Sequence, residues 1–291
     1  MSERQLIVVR GGASVDASAV ASREARKALA AIDVRFTNKP ISLLQHKIYN
    51  VWIAFAQSHR NALETRVFEF PLNEVMELAG FNSRDLNHFV SAAETIMDLR
   101  VRYDSINPGP DDAEARRVGG SARRRRSGSL EATQLVSHIK IDWHERVMRV
   151  EFPEQIRGYI LRPEYYTTVD LRKQALFSSR ASLALYEYVR SYASAGTMPW
   201  LPWEEYSMLL AGTTAPHACF RDFSKQLRRA LEQVNSVHSS HFSYAEFTKR
   251  GKAYDKMRVC IELAHQAALQ LEAAPENPAL LSRICRWGFP E

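Results

Sequence analysis

Hydrophobic residues of this chain recur at helical spacing in several segments, and short alternating runs separate these segments. Between Ser42 and Ser58 the apolar side chains fall on one face, which predicts an amphipathic helix. Arg66–Phe70 alternates between polar and apolar residues and predicts a short strand. Pro71 then favours the start of a second helix, which we expect to end at Gly80.

A third helix is predicted to begin at Ser83, a residue type favoured at N-caps. Its buried stripe is predicted to contain Leu86, Phe89, Val90, Ala93, Ile96 and Met97. After Val101–Tyr103 and a long polar insert, further strands are predicted near Leu135–Ile141 and Val147–Phe152. The order helix, strand, helix, helix, strand, strand is that of a winged helix, in which a β-hairpin wing follows a helix-turn-helix.

The same order of elements recurs in the second half of the chain. The predicted elements are a helix over Ser178–Ala193, a short strand at Trp200–Leu201, a helix from Pro202 to Gly212, a helix from about His217 to Val237, and strands at His241–Thr248 and Lys256–Leu263. Little of the sequence itself repeats. The pattern therefore predicts an α+β protein with two tandem winged-helix domains, each a helix-turn-helix with a β-hairpin wing.

Composition shifts along the chain indicate where the domains begin and end. We expect a mobile basic leader over 1–37, a first winged-helix domain over 38–163 with an Arg-rich wing insert at 104–133, a second winged-helix domain over 164–265, and a C-terminal helix and tail over 266–291. Within the leader, Ala19–Ala31 could form a short helix, but it has no clear apolar face. The insert is longer than the loops of compact domains, so we expect it to be disordered.

The net charge narrows the class of partner. The 291 residues carry a formal charge of +6, which favours an acidic polymer or an anionic membrane. No apolar run approaches the roughly 18 residues that span a bilayer, and the apolar run near Met1 is too short for a signal peptide. We therefore expect a cytoplasmic protein that binds nucleic acid, with reduced thiols at Cys219, Cys260 and Cys285 in or near the cores.

Cations on the third helix of the second half are the main candidates for DNA contact. Arg221, Lys225, Arg228 and Arg229 lie opposite the predicted apolar stripe of this helix. Arginine can read guanine in the major groove, and either residue type neutralises phosphate. The following hairpin carries Lys249, Arg250, Lys252 and Lys256, which we expect to contact the DNA backbone. The alternative is an ordinary solvated face.

The corresponding helix of the first half offers a less basic face. Its candidates are Arg84, Asn87 and His88, of which asparagine can read adenine; a merely solvated surface is the alternative. The insert of the first wing also contains four consecutive arginines, namely Arg123, Arg124, Arg125 and Arg126. Such a run is typical of a phosphate-binding arm, and a solubilising loop is the alternative.

Several segments of the second half resemble the plasmid replication initiators that bind iterons. LFSSRASLALYEYVRSY (176–192) is similar to the family's stretch with an "F-S-x-x-S/A" entry and an "LYxxxxxY" helix. FRDFSKQLRRALEQVN (220–235) resembles its "F-x-x-F-K-x-x-V-L-x-x-A-x-x-E-I-N" recognition helix. WEEYSMLLAG (203–212) and FSYAEFTKRGKAYDKMRVCIEL (242–263) resemble its intervening helix and closing hairpin. Gln233 replaces the family's acidic residue, and the Arg-rich insert is not required by the family pattern.

The resemblance implies a function in replication without catalysis. Monomers would bind direct repeats at an origin through both winged-helix domains, bend the double-stranded DNA and help open an AT-rich region. The host initiator and the replicative helicase would be recruited. Dimers, joined mainly through the first domain, would repress the initiator's own gene at an inverted repeat.

Two other functions compete with this interpretation. A transcriptional regulator with two winged helices would bind DNA in the same way and differ in its partner proteins. A rolling-circle nicking enzyme could use the pair Tyr165–Tyr166, but no HxH-type metal motif accompanies it. The chain has no GxxxxGK[ST] loop, no GxGxxG after a strand and no HExxH, so we expect no enzyme activity, cofactor or metal site.

Overall fold

A computed structural model describes residues 24–28, 40–83, 85–102, 132–163, 166–213, 215–238 and 241–263. Within these ranges the helices and strands predicted for two winged helices occur in the predicted order, with additional elements before and between them. The first half contains β1 (Glu24–Ala28), α1 (Leu43–Ser58), β2 (Val67–Pro71), α2 (Leu72–Leu78), α3 (Leu86–Glu94), β3 (Arg100–Arg102), β4 (Ala132–Gln134), β5 (His138–Asp142), β6 (Val147–Glu151) and α4 (Glu154–Leu161). The second contains β7 (Tyr166–Asp170), α5 (Leu171–Ala175), α6 (Arg180–Tyr192), β8 (Leu201–Pro202), α7 (Trp203–Ala211), α8 (Phe220–Val237), β9 (His241–Arg250) and β10 (Ala253–Leu263).

Each half packs its helices against a three-stranded antiparallel sheet. In the first half the strand order is β2-β6-β5, and in the second it is β8-β10-β9. In each of these two sheets the strand that comes first in the chain thus pairs with the strand that comes last, as in a winged helix. Trp52 of α1, Phe68 of β2 and Phe89 of α3 are buried in the first core, while Tyr186 of α6 and Phe223 of α8 are buried in the second.

The predicted start of α3 is wrong by two residues. Asp85 is the N-cap, because its side chain accepts hydrogen bonds from the backbone N–H groups of Asn87 and His88. Ser83 lies two residues earlier, and its side chain accepts a hydrogen bond from the Asp85 N–H instead. The shifted start leaves Leu86, predicted to be buried, exposed to solvent.

Part of the predicted mobile leader is an ordered strand. Residues 24–28 pair antiparallel with β7, with Glu24 opposite Asp170 and Ala28 opposite Tyr166. Ala25 and Lys27 face inward and are buried. The expectation of a mobile leader or a short helix was therefore wrong here, because partnership with a distant strand decides the conformation of this Ala-rich segment.

The Arg-rich insert does not lie in the first wing as predicted. The wing is the β5–β6 hairpin, whose connection is the four-residue segment Trp143–Arg146. The insert falls between β3 and β4, which form a separate antiparallel pair. Leu135 and Val136 are buried and lie between β4 and β5, so the strand predicted over Leu135–Ile141 begins three residues later, at His138.

A cluster of buried polar side chains joins the two halves. The Lys27 Nζ of β1 lies 2.7 Å from Glu187 Oε2 of α6, and the His46 Nε2 of α1 lies 3.0 Å from Glu187 Oε1. Asn50 of α1 donates to Glu187 Oε1 at 2.7 Å and to Gln174 Oε1 at 3.0 Å. All five side chains are buried, so the contacts between α1, α5 and α6 are polar as well as apolar.

Burial changes the protonation behaviour of this cluster. Burial lowers the pKa of Lys27, and it lowers the pKa of His46 to about 4, so the imidazole is neutral at pH 7. Burial opposes ionisation of Glu187, but the neighbouring His46 and Lys27 outweigh it and its pKa is lowered. The cluster therefore contains an ionised carboxylate whose compensation comes chiefly from one ammonium group.

The turn inside each helix-turn-helix uses a glycine in the left-handed region. Gly80 follows α2 with φ 67° and Gly212 follows α7 with φ 61°, which confirms both predicted helix ends. The guanidinium of Arg180 donates to the Leu210 carbonyl and occupies the space beside Gly212 that a methyl group would need. The turn after α7 is thus stabilised by a hydrogen bond from a side chain of α6.

Replacing Gly212 with alanine should destabilise the second domain. The positive φ and the neighbouring Arg180 guanidinium both oppose a Cβ atom, and we expect a loss of about 1–3 kcal/mol in the free energy of unfolding. Gly158→Ala is the matched control, since this residue lies within α4 with open space around it. That substitution should be stabilising by about 0.5–1 kcal/mol. Urea denaturation of both variants measures the difference, and equal effects would contradict this role of Gly212.

Candidate nucleic-acid interface

Helix α8 has one fully buried face and one cationic face. Phe223, Leu227, Ala230, Leu231 and Val234 are buried, as the sequence predicted. Arg221, Lys225, Arg228 and Arg229 are all exposed. Among the described residues, no ion pair involves Arg221, Lys225 or Arg229, so these side chains can reach a phosphate or a base without first breaking one.

An aromatic cluster fixes the start of α8 against the wing. Phe220 stacks on Tyr254 of β10 with ring centroids 4.1 Å apart and an interplanar angle of 14°. It also makes edge contacts with Phe247 of β9 and Trp203 of α7. Arg221 follows Phe220 directly, so the position of the first helical cation is coupled to the position of the hairpin.

The hairpin tip carries the remaining predicted cations of the second half. β9 ends at Arg250 and β10 begins at Ala253, so the tip is Gly251–Lys252, with Gly251 at φ 67°. Lys249, Arg250, Lys252 and Lys256 are exposed around it. Lys249 Nζ lies 4.8 Å from the centroid of the Tyr254 ring, which connects the tip cations to the aromatic cluster beneath them.

The irregular start of β10 contributes to the shape of this wing. Its pairing with β9 shifts register between Tyr254 and Met257, which marks a bulge or irregularity of the hairpin. Arg258 lies beyond the irregularity, where it forms an ion pair with Glu246 at 2.7 Å and covers the Trp200 ring. Arg258 is thus a structural cation, whereas the four tip cations point to solvent.

The first domain presents a different surface at the equivalent helix. Asn87 and His88 are exposed at the start of α3, and the His88 ring stacks at 6.2 Å on the buried Phe81. Phe81 also packs on Phe89 with ring centroids 5.3 Å apart. The first turn of α3 is therefore fixed to the core by Phe81 and by the Asp85 cap.

The comparison with known protein families identifies the first half of the molecule. Residues 25–190 match the family described as initiator replication protein, WH1, and this match covers more than half of the chain. The chain belongs to the plasmid replication initiator family. The match includes β1, in agreement with its ordered pairing, and it confirms the family resemblance of the sequence and the winged-helix fold.

A solved structure of an initiator shares this fold. The chain matches the structure entitled "Crystal structure of Pi initiator protein in complex with iteron DNA" with a TM-score of 0.54 and 16% sequence identity. The alignment covers 79% of this chain and 96% of that chain. A search of curated proteins gave no match.

Some residues predicted for this initiator's DNA contact lie outside the described residues. They are Arg84, Arg123, Arg124, Arg125 and Arg126, together with the predicted C-terminal helix and tail. In the part that is described, no group of His, Cys, Asp and Glu side chains could bind a metal ion, and no helix is long and apolar enough to cross a bilayer. Cys260 is buried as predicted, but Cys219 is exposed at the N-cap of α8.

Sequence reasoning missed the contacts that position this initiator's wing and turn. Phe247 was assigned only to a strand and Tyr254 only to the connection between two strands, and their contact with Phe220 depends on the distance between elements far apart in the chain. The role of Arg180 was missed for the same reason, because it lies 30 residues from the carbonyl it caps. The one sequence signal for these aromatic contacts was the alternation of aromatic residues on both sides of the basic turn of the second hairpin.

Proposed function

We propose that this chain initiates plasmid replication by binding repeated double-stranded sites at the origin. The cations of α8 enter the major groove, where arginine reads guanine, and the hairpin tip contacts the phosphate backbone. Helix α3 of the first domain contacts the neighbouring groove, so that one monomer uses both winged helices. Binding bends the DNA and helps open an adjacent AT-rich segment.

The observation that carries this proposal is the cationic face of α8 together with its coupled wing. Arg221, Lys225 and Arg229 are exposed without ion pairs in the described part of the chain, while the opposite face is fully buried. If α8 were merely solvated, nothing would require the basic β9–β10 hairpin to be fixed to its first turn. Phe220 fixes the two together by stacking on Tyr254. Family membership and the Pi structure bound to iteron DNA support duplex DNA as the partner.

Bending the site requires free energy that the contacts must supply. Smooth bending of a short duplex costs on the order of 1–6 kcal/mol. Several bound monomers on repeated sites would each contribute phosphate and base contacts, and their sum can open the AT-rich segment without catalysis. The host initiator and the replicative helicase then join the open complex, and dimers of this chain repress its own gene in the cytoplasm.

Footprinting on the plasmid's own origin region tests this proposal. The proposal expects protection of direct repeats of about one to two helical turns each, beside an AT-rich stretch. Added permanganate should then detect unpaired thymines in that stretch. Protection of inverted repeats alone, with no unpaired thymines, would indicate a transcriptional regulator and contradict a role in initiation.

A further inference from the structure

The recognition helix of the first domain lacks the chemistry that its counterpart uses. Between Leu86 and Glu94, α3 contains no lysine or arginine, whereas α8 carries four exposed cations. A helix without a guanidinium or ammonium group cannot make the bidentate contact to guanine that is commonest in specific complexes. Any base that α3 reads must therefore be recognised through other groups.

Leu86 is the unusual residue of this helix. Its side chain is 40% exposed, and it is the one large apolar residue among the described exposed ones that lies in either recognition helix. A single exposed leucine on a protein surface is common. Here, however, the leucine stands in the first helical turn, which is the part of such a helix that contacts base edges.

The first turn of α3 is also rigid. Asp85 accepts from two backbone N–H groups of this turn at 3.1 and 3.4 Å, and the Phe81 ring packs against both His88 and Phe89. Leu86 and Asn87 are consequently presented to solvent from a fixed backbone. The side-chain amide of Asn87 has no hydrogen-bond partner within the described ranges and is available for a ligand.

We propose that Leu86 and Asn87 give the first domain a preference for A·T base pairs, with Leu86 contacting the 5-methyl group of thymine and Asn87 pairing with adenine. This inference rests on the proposed function and adds the identity of the bases read by α3. Thymine is the only base that presents a methyl group in the major groove, and adenine presents the N7 acceptor and N6 donor that complement an amide. Asp85 accepts both cap hydrogen bonds through Oδ1, which holds its carboxylate at the helix start beside Leu86 and Asn87.

Removing single methyl groups from the DNA tests the leucine contact. Each thymidine of one origin repeat is replaced in turn by deoxyuridine, and the Kd of the full-length chain is measured by fluorescence anisotropy. Loss of one buried methyl contact should weaken binding about fourfold at one or two positions. With Leu86→Ala the affinity for the thymidine duplex should fall by a similar factor, and these positions should no longer respond to deoxyuridine.

A matched leucine substitution controls for general effects. Leu263→Ala removes a leucine that is 47% exposed at the end of β10, where it pairs with His241 at the far end of the hairpin from Gly251. This variant should keep both the wild-type affinity and the response to deoxyuridine. For Asn87, 7-deazaadenine at the adjacent adenines should weaken the wild type and leave Asn87→Ala unaffected.

The outcomes separate this inference from the proposed function. If the wild type binds the repeats but no thymidine position responds to deoxyuridine, the Leu86 assignment is wrong and the proposed function stands. If the wild type and Leu86→Ala respond equally to deoxyuridine at every position, the Leu86 assignment is likewise wrong and the proposed function stands. If the wild type binds the repeats no better than unrelated duplex DNA, both proposals are wrong. Because the deoxyuridine measurement on the wild type needs no variant, a folding defect of Leu86→Ala cannot imitate the outcome of that measurement.

Discussion

Replacing Glu187 with glutamine is expected to lower the free energy of unfolding by about 3–5 kcal/mol, because it removes one partner of a buried ion pair. The Lys27 ammonium is 2.7 Å from Glu187 Oε2, and both side chains are buried. A glutamine amide would place a donor against this ammonium or against Asn50, whose amide already donates to the carboxylate. The substitution should therefore leave a buried positive charge and an unsatisfied donor.

The pH dependence of this variant gives the prediction a second readout. Burial lowers the folded-state pKa of Lys27, and without Glu187 it should fall further. Between that pKa and the unfolded value the unfolded state binds more protons, so stability rises with pH. The deficit of Glu187→Gln relative to the wild type should thus shrink over the pH range in which Lys27 is neutral in the folded variant but still protonated in the folded wild type, which urea denaturation at several pH values would measure.

Two further variants control the interpretation of Glu187→Gln. Glu232 is an exposed carboxylate on α8, and Glu232→Gln should change stability by no more than about 0.5 kcal/mol. The double variant Lys27→Met with Glu187→Leu replaces the pair by apolar groups and should recover much of the loss. If Glu187→Gln is as stable as the wild type at pH 7, the cluster does not stabilise the contact between the halves.

The second large effect is expected for DNA binding. Changing Arg221, Lys225 and Arg229 together to alanine should weaken binding to an origin repeat by on the order of 10³-fold at moderate salt. All three are exposed, so the fold should be retained. Each lost phosphate contact should also reduce the slope of log K against log salt concentration by about 0.9. Titrations at several salt concentrations give both quantities.

A charge-matched control distinguishes specific contact from net charge. Arg60, Arg157 and Arg162 lie outside α8 and the second wing, and changing these three to alanine removes the same formal charge. We expect this variant to bind the repeat within about threefold of the wild type, because distant surface charges are screened by salt. Equal losses of DNA affinity in the two triple variants would mean that the α8 cations contribute only to the overall electrostatic field of the protein.

The sequence predicted the winged-helix order because each element has a strong local signal. The apolar stripe of α8, the prolines before α2 and α7, and the glycines after them are all visible within short windows. The cationic face of α8 followed from the same periodicity, since residues opposite a buried stripe must face solvent. These features needed no knowledge of the rest of the chain.

The features that sequence reasoning missed depend on distant partners. β1 is a strand because β7, more than 130 residues later, supplies its hydrogen bonds. Lys27 lies in the predicted mobile leader, and its burial depends on a carboxylate 160 residues away. The start of α3 was misplaced because Ser83 and Asp85 are both good N-caps, and only the backbone geometry decides between them.

Site-directed photocrosslinking tests the central claim most directly. A benzophenone side chain would replace Lys225 on α8, Lys252 at the hairpin tip or, as a control, the exposed Leu263 at the other end of the hairpin. With an origin repeat, the account predicts crosslinks from 225 and 252 to neighbouring nucleotides of one site and none from 263. Crosslinks from 263 without any from 225 or 252 would contradict the claim that this helix and its wing contact the duplex.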